Sequence, residues 1–316
     1  MKKLTKKILE QRRDFSLSLL EKCSICPRRC GVNRLKGDRG FCRVGRLPIV
    51  YSYAPHFGEE PPISGTYGSG TIFFSHCNLK CVYCQNYKFS QLDKGKEISI
   101  NVLADYMIEL QRQGCHNINF VTPTHFMPQI LEALVLAIDA GLKIPLVYNT
   151  SGYELEDVIK LLDGVIDIYL VDMRYADKDQ SIKYSSAPDY PKHNQESVIE
   201  MYKQVGVVKF NKNDVMQKGM IIRHLVLPDN VSGTYEIMRF ITKKVSKDIH
   251  ISLMSQYTPY YKAMNYSQIN RRINSVEYED AKRIMQECDL DNGWIQDDYG
   301  LDHLAGIHIK PKKTIY

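Results

Sequence analysis

Three closely spaced cysteines carry the most specific chemistry in this 316-residue sequence. Cys77, Cys81 and Cys84 have the spacing C-x3-C-x2-C and directly follow the β-branched and aromatic run TIFFS at residues 71–75. Soft thiolate ligands favour iron–sulfur clusters, zinc or Cu(I) over hard cations. A cubane 4Fe–4S cluster takes four cysteine ligands. Three thiolates therefore predict a cluster in which one iron is open to a small molecule.

Two other roles for these cysteines agree less well with the sequence. Structural zinc sites usually take cysteines from separated C-x2-C pairs rather than from a tight triplet. A disulfide framework is disfavoured by the length of the chain, its odd count of nine cysteines and the absence of a secretory signal. We therefore expect reduced, metal-binding cysteines in a cytoplasmic protein.

The cysteine triplet, with Tyr83 directly before its last member, resembles the signature of the radical S-adenosylmethionine (SAM) superfamily. The resemblance implies that Cys77, Cys81 and Cys84 hold a catalytic 4Fe–4S cluster whose open iron binds the amine and carboxylate of SAM. It also implies that an electron, from a donor such as flavodoxin or ferredoxin, cleaves the sulfonium. The resulting 5′-deoxyadenosyl radical abstracts hydrogen from a substrate.

A second cysteine set, Cys23, Cys26, Cys30 and Cys42, precedes the triplet. Glycines within this segment allow the tight backbone turns that a small metal site needs. Four thiolates complete a structural tetrahedral zinc site, which is the first interpretation. They complete an auxiliary 4Fe–4S cluster equally well, which is the second. The spacing does not distinguish between these two sites.

Longer stretches narrow the resemblance to the PflX-type proteins, which are relatives of pyruvate formate-lyase activating enzyme. The matching stretches run from about Cys23 to Trp294 and read CPRRCGVNR, GDRGFCRVG, HFGEEPPISGTYGSGTIFFSHCNLKCVYCQNY, NINFVTPTHF and NGWIQ. The resemblance implies an oxidoreductase with an activase-like core. Its substrate is a protein or a small molecule, and relatedness to activases favours a glycyl radical protein.

Strand-like and helix-like segments alternate from residue 71 onward. The candidate strands are rich in β-branched or aromatic residues and are bounded by turn residues; they span 71–75, 117–122, 144–149, 165–172, 220–227 and 249–254. Six β–α units in series indicate a parallel α/β sheet. An open doubly wound sheet satisfies this pattern, whereas the family resemblance implies a partial (β/α)6 TIM-type barrel with a small N-terminal cysteine-rich metal-binding segment.

These sequence patterns divide the chain into four predicted parts. Residues 1–46 form a basic helix and the four-cysteine segment, and residues 47–70 form an irregular connector. The radical SAM partial barrel spans residues 71–290, and a C-terminal extension spans residues 291–316.

Residues at the carboxyl ends of barrel strands are the functional candidates. Radical SAM enzymes often carry a Gly-Gly-Glu run after the second strand, where this chain has Thr122, a proline and Thr124. The hydroxyls of these threonines are candidates for binding the SAM amino group, and a rigid turn is the alternative. Asn149 and Thr150 end the third strand, where activases similarly place polar residues near SAM.

Asp172 and Arg174 end the fourth strand and resemble the Asp-Leu-Lys run of activases, which contacts ribose and carboxylate. An arginine suits bidentate carboxylate recognition even better than a lysine. A surface ion pair between the two residues is the alternative. Tyr83 and Gln256 are expected beside the adenine of SAM.

Three further residues have two open interpretations each. Glu59 and Glu60 in the connector either approach the cluster or form a solvated turn. His224, within an apolar strand, either faces the barrel lumen or is an ordinary core or surface histidine.

The positive charge of the chain is concentrated at its N-terminus. Residues 1–46 contain 14 Lys/Arg and 4 Asp/Glu, a net charge of +10, and the rest of the chain carries −4. A basic, cysteine-rich segment also fits a nucleic-acid-binding or RNA-modifying metalloprotein, which is the alternative function. No apolar run reaches the length of a membrane span, so no membrane partner is expected.

Overall fold

The structure is a computed structural model that describes residues 5–296. Its strands are β1 (Ile49–His56), β2 (Ser69–Phe74), β3 (Lys96–Glu97), β4 (Ile118–Val121), β5 (Leu146–Thr150), β6 (Ile168–Asp172), β7 (Lys209–Phe210), β8 (Met216–Leu225), β9 (His250–Met254) and β10 (Gly293–Ile295). The central strands follow the order β10-β9-β8-β6-β5-β4-β2 and are all parallel. The six predicted strands are confirmed, and β10 is an addition.

Helices fill the connections between the parallel strands. They are α1 (Lys6–Ser18), α2 (Pro61–Ser64), α3 (Tyr87–Ser90), α4 (Ile100–Arg112), α5 (Met127–Asp139), α6 (Glu156–Lys160), α7 (Lys178–Ser185), α8 (Tyr190–Val205), α9 (Thr234–Phe240) and α10 (Ser275–Glu287). Local sequence fixes several of their starts. Ser99 caps α4 by accepting a hydrogen bond from the Val102 amide, and Asn274 and Glu277 form a capping box on α10.

Alternating residues of the parallel strands pack on opposite faces of the sheet, as the two-residue period of a strand requires. Tyr148 and Tyr169 belong to the large core that the helices cover on one face. Val147 and Leu170, their neighbours along the chain, belong to a separate buried cluster on the inner face. The sheet is not closed into a full barrel. The fold is therefore the expected α/β partial barrel.

The predicted irregular connector at residues 47–70 is ordered and forms part of the sheet. Strand β1 pairs antiparallel with β2, and β3 pairs antiparallel with β1. Helix α2 enters the inner face, where Ile63 is fully buried and its carbonyl accepts a hydrogen bond of 2.8 Å from Asn117 Nδ2. Regular pairing is possible because most of the glycines and prolines that suggested irregular structure lie at residues 58–70, after the end of β1.

The N-terminal helix α1 lies against α5, and the ion pair between Lys6 and Asp139 (2.6 Å) joins the two helices. Arg46 Nη2, beyond the four cysteines, donates to both carboxylate oxygens of Glu132 at 2.8 and 2.7 Å. The four-cysteine segment is thus fixed to the barrel at both ends. The C-terminal extension contributes β10, and its residues 297–316 lie outside the described range. Among residues 5–296, no helix is long and apolar enough to span a membrane.

Candidate active site

One cavity lies at the carboxyl ends of the parallel strands, and the cysteine triplet opens into it. The predicted residues that line this cavity are Cys77, Cys81, Tyr83, Cys84, Thr122, Asn149, Thr150, Asp172, Arg174 and Gln256. These residues come from the ends of four different strands, β4, β5, β6 and β9, and from the loop after β2. The parallel order of the sheet therefore gathers side chains that are far apart in sequence, as the barrel rule predicts.

The loop that carries the triplet is held by backbone hydrogen bonds. The amide of Lys80 donates to the carbonyl of Ser185 at 3.1 Å, and the amide of Val82 donates to the carbonyl of Tyr184 at 2.9 Å. Both acceptors belong to the end of α7. His76, at the start of the loop, has a φ of 66°, so the chain turns sharply as it leaves β2.

Each sulfur of the triplet accepts hydrogen bonds from nearby donors. The Leu79 amide donates to Cys77 Sγ at 3.3 Å, and Ser90 Oγ lies 3.2 Å from Cys84 Sγ. Cys81 Sγ accepts two hydrogen bonds, from Arg174 Nη1 at 3.2 Å and from Ser185 Oγ at 3.0 Å. Such donors stabilise thiolates and tune iron–sulfur clusters.

Burial raises the pKa of Cys77 to about 12 and that of Cys84 to about 11. Buried thiolates at neutral pH therefore need a positive partner, and a bound metal cluster supplies it. The donor set fits a 4Fe–4S cluster on the triplet, because all three sulfurs are soft ligands with hydrogen-bond donors directed at them.

Asp172 and Arg174 form a half-buried ion pair that lines the cavity. Arg174 Nε and Nη2 donate to Asp172 Oδ2 at 3.0 and 2.5 Å, while Nη1 points to the triplet. The amide of Arg174 donates to the hydroxyl of Tyr190 at 3.1 Å, which fixes the turn after β6. This arrangement places one cation beside Cys81 and within the cavity.

Tyr83 is buried and its hydroxyl lies 2.6 Å from the hydroxyl of Tyr175. Tyr175 in turn lies 2.8 Å from Ser185 Oγ, which donates to Cys81 Sγ. The ring of Tyr83 contacts Tyr257 edge to face at 5.7 Å. The hydroxyl of Tyr83 is therefore occupied within the protein, and its ring is the part that lines the cavity.

The two threonines after β4 have different surroundings. Thr122 lines the cavity, and its φ of 59° marks a tight turn. Thr124 is not among the cavity residues; it is buried, and its hydroxyl donates to Glu154 Oε1 at 2.6 Å. Thr150 Oγ1 donates to the same carboxylate oxygen at 2.5 Å. Thr124 therefore braces the ends of β4 and β5, and we do not carry it forward as a SAM ligand.

A largely buried ion-pair network contributes Glu59 and Arg223 to the cavity wall. Arg223 donates to both oxygens of Glu60 at 2.7 Å and also pairs with Glu59. Glu59 Oε1 accepts hydrogen bonds from Asn119 at 2.9 Å and from Asn149 at 3.3 Å. Burial raises the pKa of Glu60, but the Arg223 guanidinium outweighs this and holds it below its usual range.

Sequence reasoning missed Arg223 and left Glu59 and Glu60 undecided. The two glutamates do not form a solvated turn, because both side chains are buried against Arg223. A charged residue inside the apolar strand at 220–227 was the available signal. His224, its neighbour, is a core histidine: Nδ1 lies 2.9 Å from the Met173 carbonyl and Nε2 lies 3.0 Å from Thr234 Oγ1.

The four-cysteine segment contacts the triplet loop, because Arg28 Nε donates to the carbonyl of Asn78 at 2.9 Å. Three of its members are buried and Cys30 is half-buried. Among residues 5–296, no group of three or more His, Cys, Asp or Glu side chains has the spacing to hold a single metal ion.

Many basic residues of the N-terminal segment have partners within the protein. Among the twelve at residues 5–46, seven donate hydrogen bonds to other residues of the chain, namely Lys6, Arg12, Arg13, Arg28, Arg34, Arg43 and Arg46. Four of these pair with carboxylates, which neutralises part of the charge that would attract phosphates. Arg29, Lys36 and Arg39 are exposed, and the nucleic-acid alternative stays a prediction.

The model of the Radical SAM superfamily matches residues 71–241. The chain therefore belongs to the radical SAM superfamily, whose members are enzymes that use a 4Fe–4S cluster and SAM. It is 32% identical over 294 residues to the uncharacterized protein MJ0674 of Methanocaldococcus jannaschii, across 90% of this chain and 80% of that protein. A second protein of that organism, the uncharacterized protein MJ0808, is 24% identical across 48% of this chain and 49% of its own length.

Two solved structures have similar folds at low sequence identity. TYW1 with a bound lysine-pyruvate adduct has a TM-score of 0.44 and 11% identity, over 73% of this chain and 77% of that one. HydG, a maturase of the [FeFe]-hydrogenase, has a TM-score of 0.46 and 14% identity, over 92% of this chain and 63% of that one. The PflX-type assignment remains a prediction, since the family match is to the superfamily.

Proposed function

We propose that this chain cleaves SAM reductively at the cysteine triplet and abstracts a hydrogen atom from a substrate held in the same cavity. The convergence of Cys77, Cys81 and Cys84 with Asp172 and Arg174 at one cavity carries this proposal. When bound, the cluster supplies an open iron for SAM and the electron that breaks its sulfonium bond.

The side chains of the cavity have distinct roles in this proposal. Arg174 binds the SAM carboxylate and Asp172 the ribose hydroxyls, because the pair presents a cation and an acceptor side by side. Asn149 and Thr150 offer polar groups to the amino end of SAM, with Thr122 beside them.

The rest of the cavity positions the nucleoside and limits access of water. The ring of Tyr83 and the amide of Gln256 line the side assigned to adenine. Apolar side chains from β2, β4, β8 and β9 complete the wall, namely Phe73, Val121, Leu225 and Met254. An apolar wall around a reactive radical prevents side reactions with solvent.

The substrate lies between SAM and the network of Arg223 and Glu59 in this proposal. Both residues line the cavity and present a buried cation and a buried carboxylate. Within hydrogen abstraction, we favour a glycine of a partner protein, on the resemblance to activating enzymes. The reaction balances as one electron, SAM and a glycine C–H giving methionine, 5′-deoxyadenosine and a glycyl radical.

The reductant is a low-potential one-electron carrier such as flavodoxin or ferredoxin. We place the protein in the cytoplasm, where thiols stay reduced and hold metals.

Deuterium transfer tests the proposal. Anaerobically reconstituted protein is given SAM, titanium(III) citrate and candidate substrates that carry deuterium at one carbon. We expect deuterium in 5′-deoxyadenosine with the true substrate, and a glycine-deuterated partner protein tests the glycyl assignment. Production of 5′-deoxyadenosine without transfer from any protein substrate would exclude glycyl radical generation and leave SAM cleavage standing.

A further inference from the structure

The four-cysteine set contains hydrogen bonds of the same kind as the triplet. The amide of Arg28 donates to Cys26 Sγ, and the amide of Val44 donates to Cys42 Sγ. In each case the donor is two residues beyond the cysteine, as it is for Leu79 and Cys77 in the triplet. The Phe41 amide donates to a third sulfur of the set, Cys30 Sγ, at 3.3 Å. These loops are therefore shaped to stabilise thiolates.

A buried cation beside the set lacks an acidic partner. Arg34 is fully buried, and its Nε and Nη2 donate to the Gly45 carbonyl at 3.1 and 3.0 Å. Its Nη1 has no hydrogen-bond partner among the described residues. The charge of Arg34 acts on Cys42 and favours the ionised form of that thiol. A buried charge needs compensation, and four metal-bound thiolates provide it.

Redox chemistry separates a cluster from a zinc ion at the four-cysteine set. Zinc requires four sulfurs at about 2.3 Å from one point, whereas a cubane cluster binds each thiolate on a different iron. Zinc has no redox chemistry, so it cannot use a contact route between the two cysteine sites. The contacts that join this set to the triplet therefore favour iron–sulfur over zinc.

A continuous chain of contacts joins the set to the triplet. The Phe41 amide contacts Cys30 Sγ, and its ring lies 3.7 Å from the guanidinium of Arg28. Arg28 Nε donates to the carbonyl of Asn78 at 2.9 Å. Asn78 follows Cys77, and its Oδ1 lies 3.8 Å from Cys77 Sγ. The route therefore passes from one cysteine site to the other through Phe41, Arg28 and Asn78.

Lys80 lies between the two sites as well. Its ammonium is 5.3 Å from the centre of the ring of Phe41, the residue directly before Cys42. One side chain of the triplet loop thus reaches the four-cysteine segment, so the two sites are neighbours. Two redox centres at short range exchange electrons through the protein.

We propose that the four-cysteine set holds a second 4Fe–4S cluster, which receives an electron from an acidic carrier protein and passes it to the triplet. This inference rests on the proposed SAM cleavage. One electron reduces one ferric iron at the set to ferrous, and the set regains its starting state when the electron moves on. At SAM that electron breaks one carbon–sulfur bond: the sulfur keeps a lone pair in methionine, and the 5′ carbon keeps one electron.

The surface around Cys30 suits an acidic carrier. Arg29, Lys36 and Arg39 are exposed beside this least buried member of the set. Basic patches steer acidic partners to the surface and speed their association at low salt. We therefore expect electron delivery by the carrier to slow as ionic strength rises.

Metal analysis of a triplet variant tests the second cluster. In protein with Cys77, Cys81 and Cys84 all replaced by alanine, we expect about four irons per chain and the EPR signal of one reduced cluster. Cys115→Ala, which removes a buried cysteine outside both sites, is the control and retains roughly eight irons. Zinc without iron in the triplet variant would overturn the relay and leave SAM cleavage at the triplet untouched.

EPR of the wild-type protein tests whether the two proposed clusters lie close together. Two reduced clusters at short range broaden each other's EPR signals. We expect the spectrum of fully reduced protein to be broader than that of protein given less than one electron per chain. A spectrum that grows in amplitude with unchanged shape would place the clusters too far apart for a relay.

The route itself is tested by Phe41→Leu, which keeps all seven cysteine ligands. We expect SAM cleavage to slow when reduced flavodoxin is the donor, and to match wild type with titanium(III) citrate, which reduces the triplet directly. Equal rates with flavodoxin would remove Phe41 from the route. A wild-type protein that does not cleave SAM with titanium(III) would instead refute the proposed function.

Discussion

The cysteine triplet and the four-cysteine set use similar loops but differ in what surrounds them. Donors to the triplet include side chains from distant elements, Arg174 after β6 and Ser185 at the end of α7, and its sulfurs face a cavity. Donors to the four-cysteine set are mostly amides of its own segment. If both sites bind clusters as proposed, the incomplete ligand set opens to a substrate, whereas the complete set is closed and suited to relaying charge.

The largest effect is expected from removing a ligand on the cavity side. Cys81→Ala should reduce formation of 5′-deoxyadenosine to background with titanium(III) citrate, because the cluster loses one of its three ligands. Cys26→Ala, on the other side of the loop, should retain cleavage with the same reductant. Loss of activity in Cys26→Ala protein that is folded and still holds the triplet cluster would erase the distinction between the two regions.

The buried ion pairs of the cavity wall should matter more for stability than exposed ones. Arg223→Leu leaves Glu59 and Glu60 buried without their cation, so the free energy of unfolding should fall by about 3–5 kcal/mol. Arg271→Leu breaks exposed pairs with Asp229 and Glu277 and should cost about 0–1 kcal/mol. Urea unfolding measures both. Equal losses would contradict the view that Arg223 balances two buried acids.

Glu154 is buried and accepts hydrogen bonds from Thr124 and Thr150 at the ends of β4 and β5, beside the cavity. Burial raises the pKa of Glu154 from its usual value near 4.5 to about 7. The folded protein therefore holds a proton that the unfolded chain has lost between these values. The stability that this proton contributes is complete below pH 4.5 and is lost as the pH rises through 7.

Glu154→Gln tests this pH dependence. The loss across the window is on the order of 3 kcal/mol for the wild-type protein, and the glutamine variant should lack this component. The free energy of unfolding, measured near pH 4.5 and near pH 7 for the wild-type protein and for the variant, gives this difference. Identical pH slopes in both proteins would show that Glu154 does not carry a shifted pKa.

A smaller effect is expected for binding. Arg174→Ala should weaken SAM binding by about tenfold or more, since a charge-assisted hydrogen bond contributes roughly 1.5–3 kcal/mol. Arg39→Ala, an exposed arginine of the four-cysteine region, is the matched control and should leave SAM affinity unchanged. Calorimetric titration of SAM under anaerobic conditions measures both. Unchanged affinity in Arg174→Ala would remove this residue from the site.

The smallest effect is expected on reduction potentials, because the triplet cluster and the proposed second cluster have different hydrogen-bond donors. Ser185→Ala removes one hydrogen bond to Cys81 Sγ, so the reduction potential of the triplet cluster should fall slightly. The four-cysteine set has no contact with Ser185 among the hydrogen bonds of residues 5–296, so its potential should stay constant. A redox titration followed by EPR resolves the two. Equal shifts in both would contradict separate donor sets.

Much of the fold and of the site could be read from local sequence. The three cysteines of the triplet lie within eight residues of sequence, so their spacing alone predicted a common loop after β2. The other cavity residues followed from one rule: side chains at the carboxyl ends of parallel strands meet at one edge of the sheet. That rule predicted that Asn149, Thr150 and Arg174 lie at the same edge as the triplet, and all three line the cavity into which the triplet opens.

The remaining features depend on contacts between distant residues. Glu59 belongs to a segment whose Gly/Pro content predicts irregular structure, and only the pairing of β1 with β2 brings it against Arg223. Thr124 satisfies the same strand-end rule as Thr122, yet a tight turn directs it to buried Glu154. Such partners lie 30 to 164 positions away in the chain, so no local pattern reports them.

EPR of the reduced protein with isotopically labelled SAM tests directly whether the triplet cluster has an open iron. We expect one iron of this cluster to bind the amino and carboxylate groups of SAM, so labels on those groups should produce hyperfine couplings. The variant with alanine at Cys23, Cys26, Cys30 and Cys42 isolates this signal. Spectra that are identical with labelled and unlabelled SAM would contradict an open iron at the triplet.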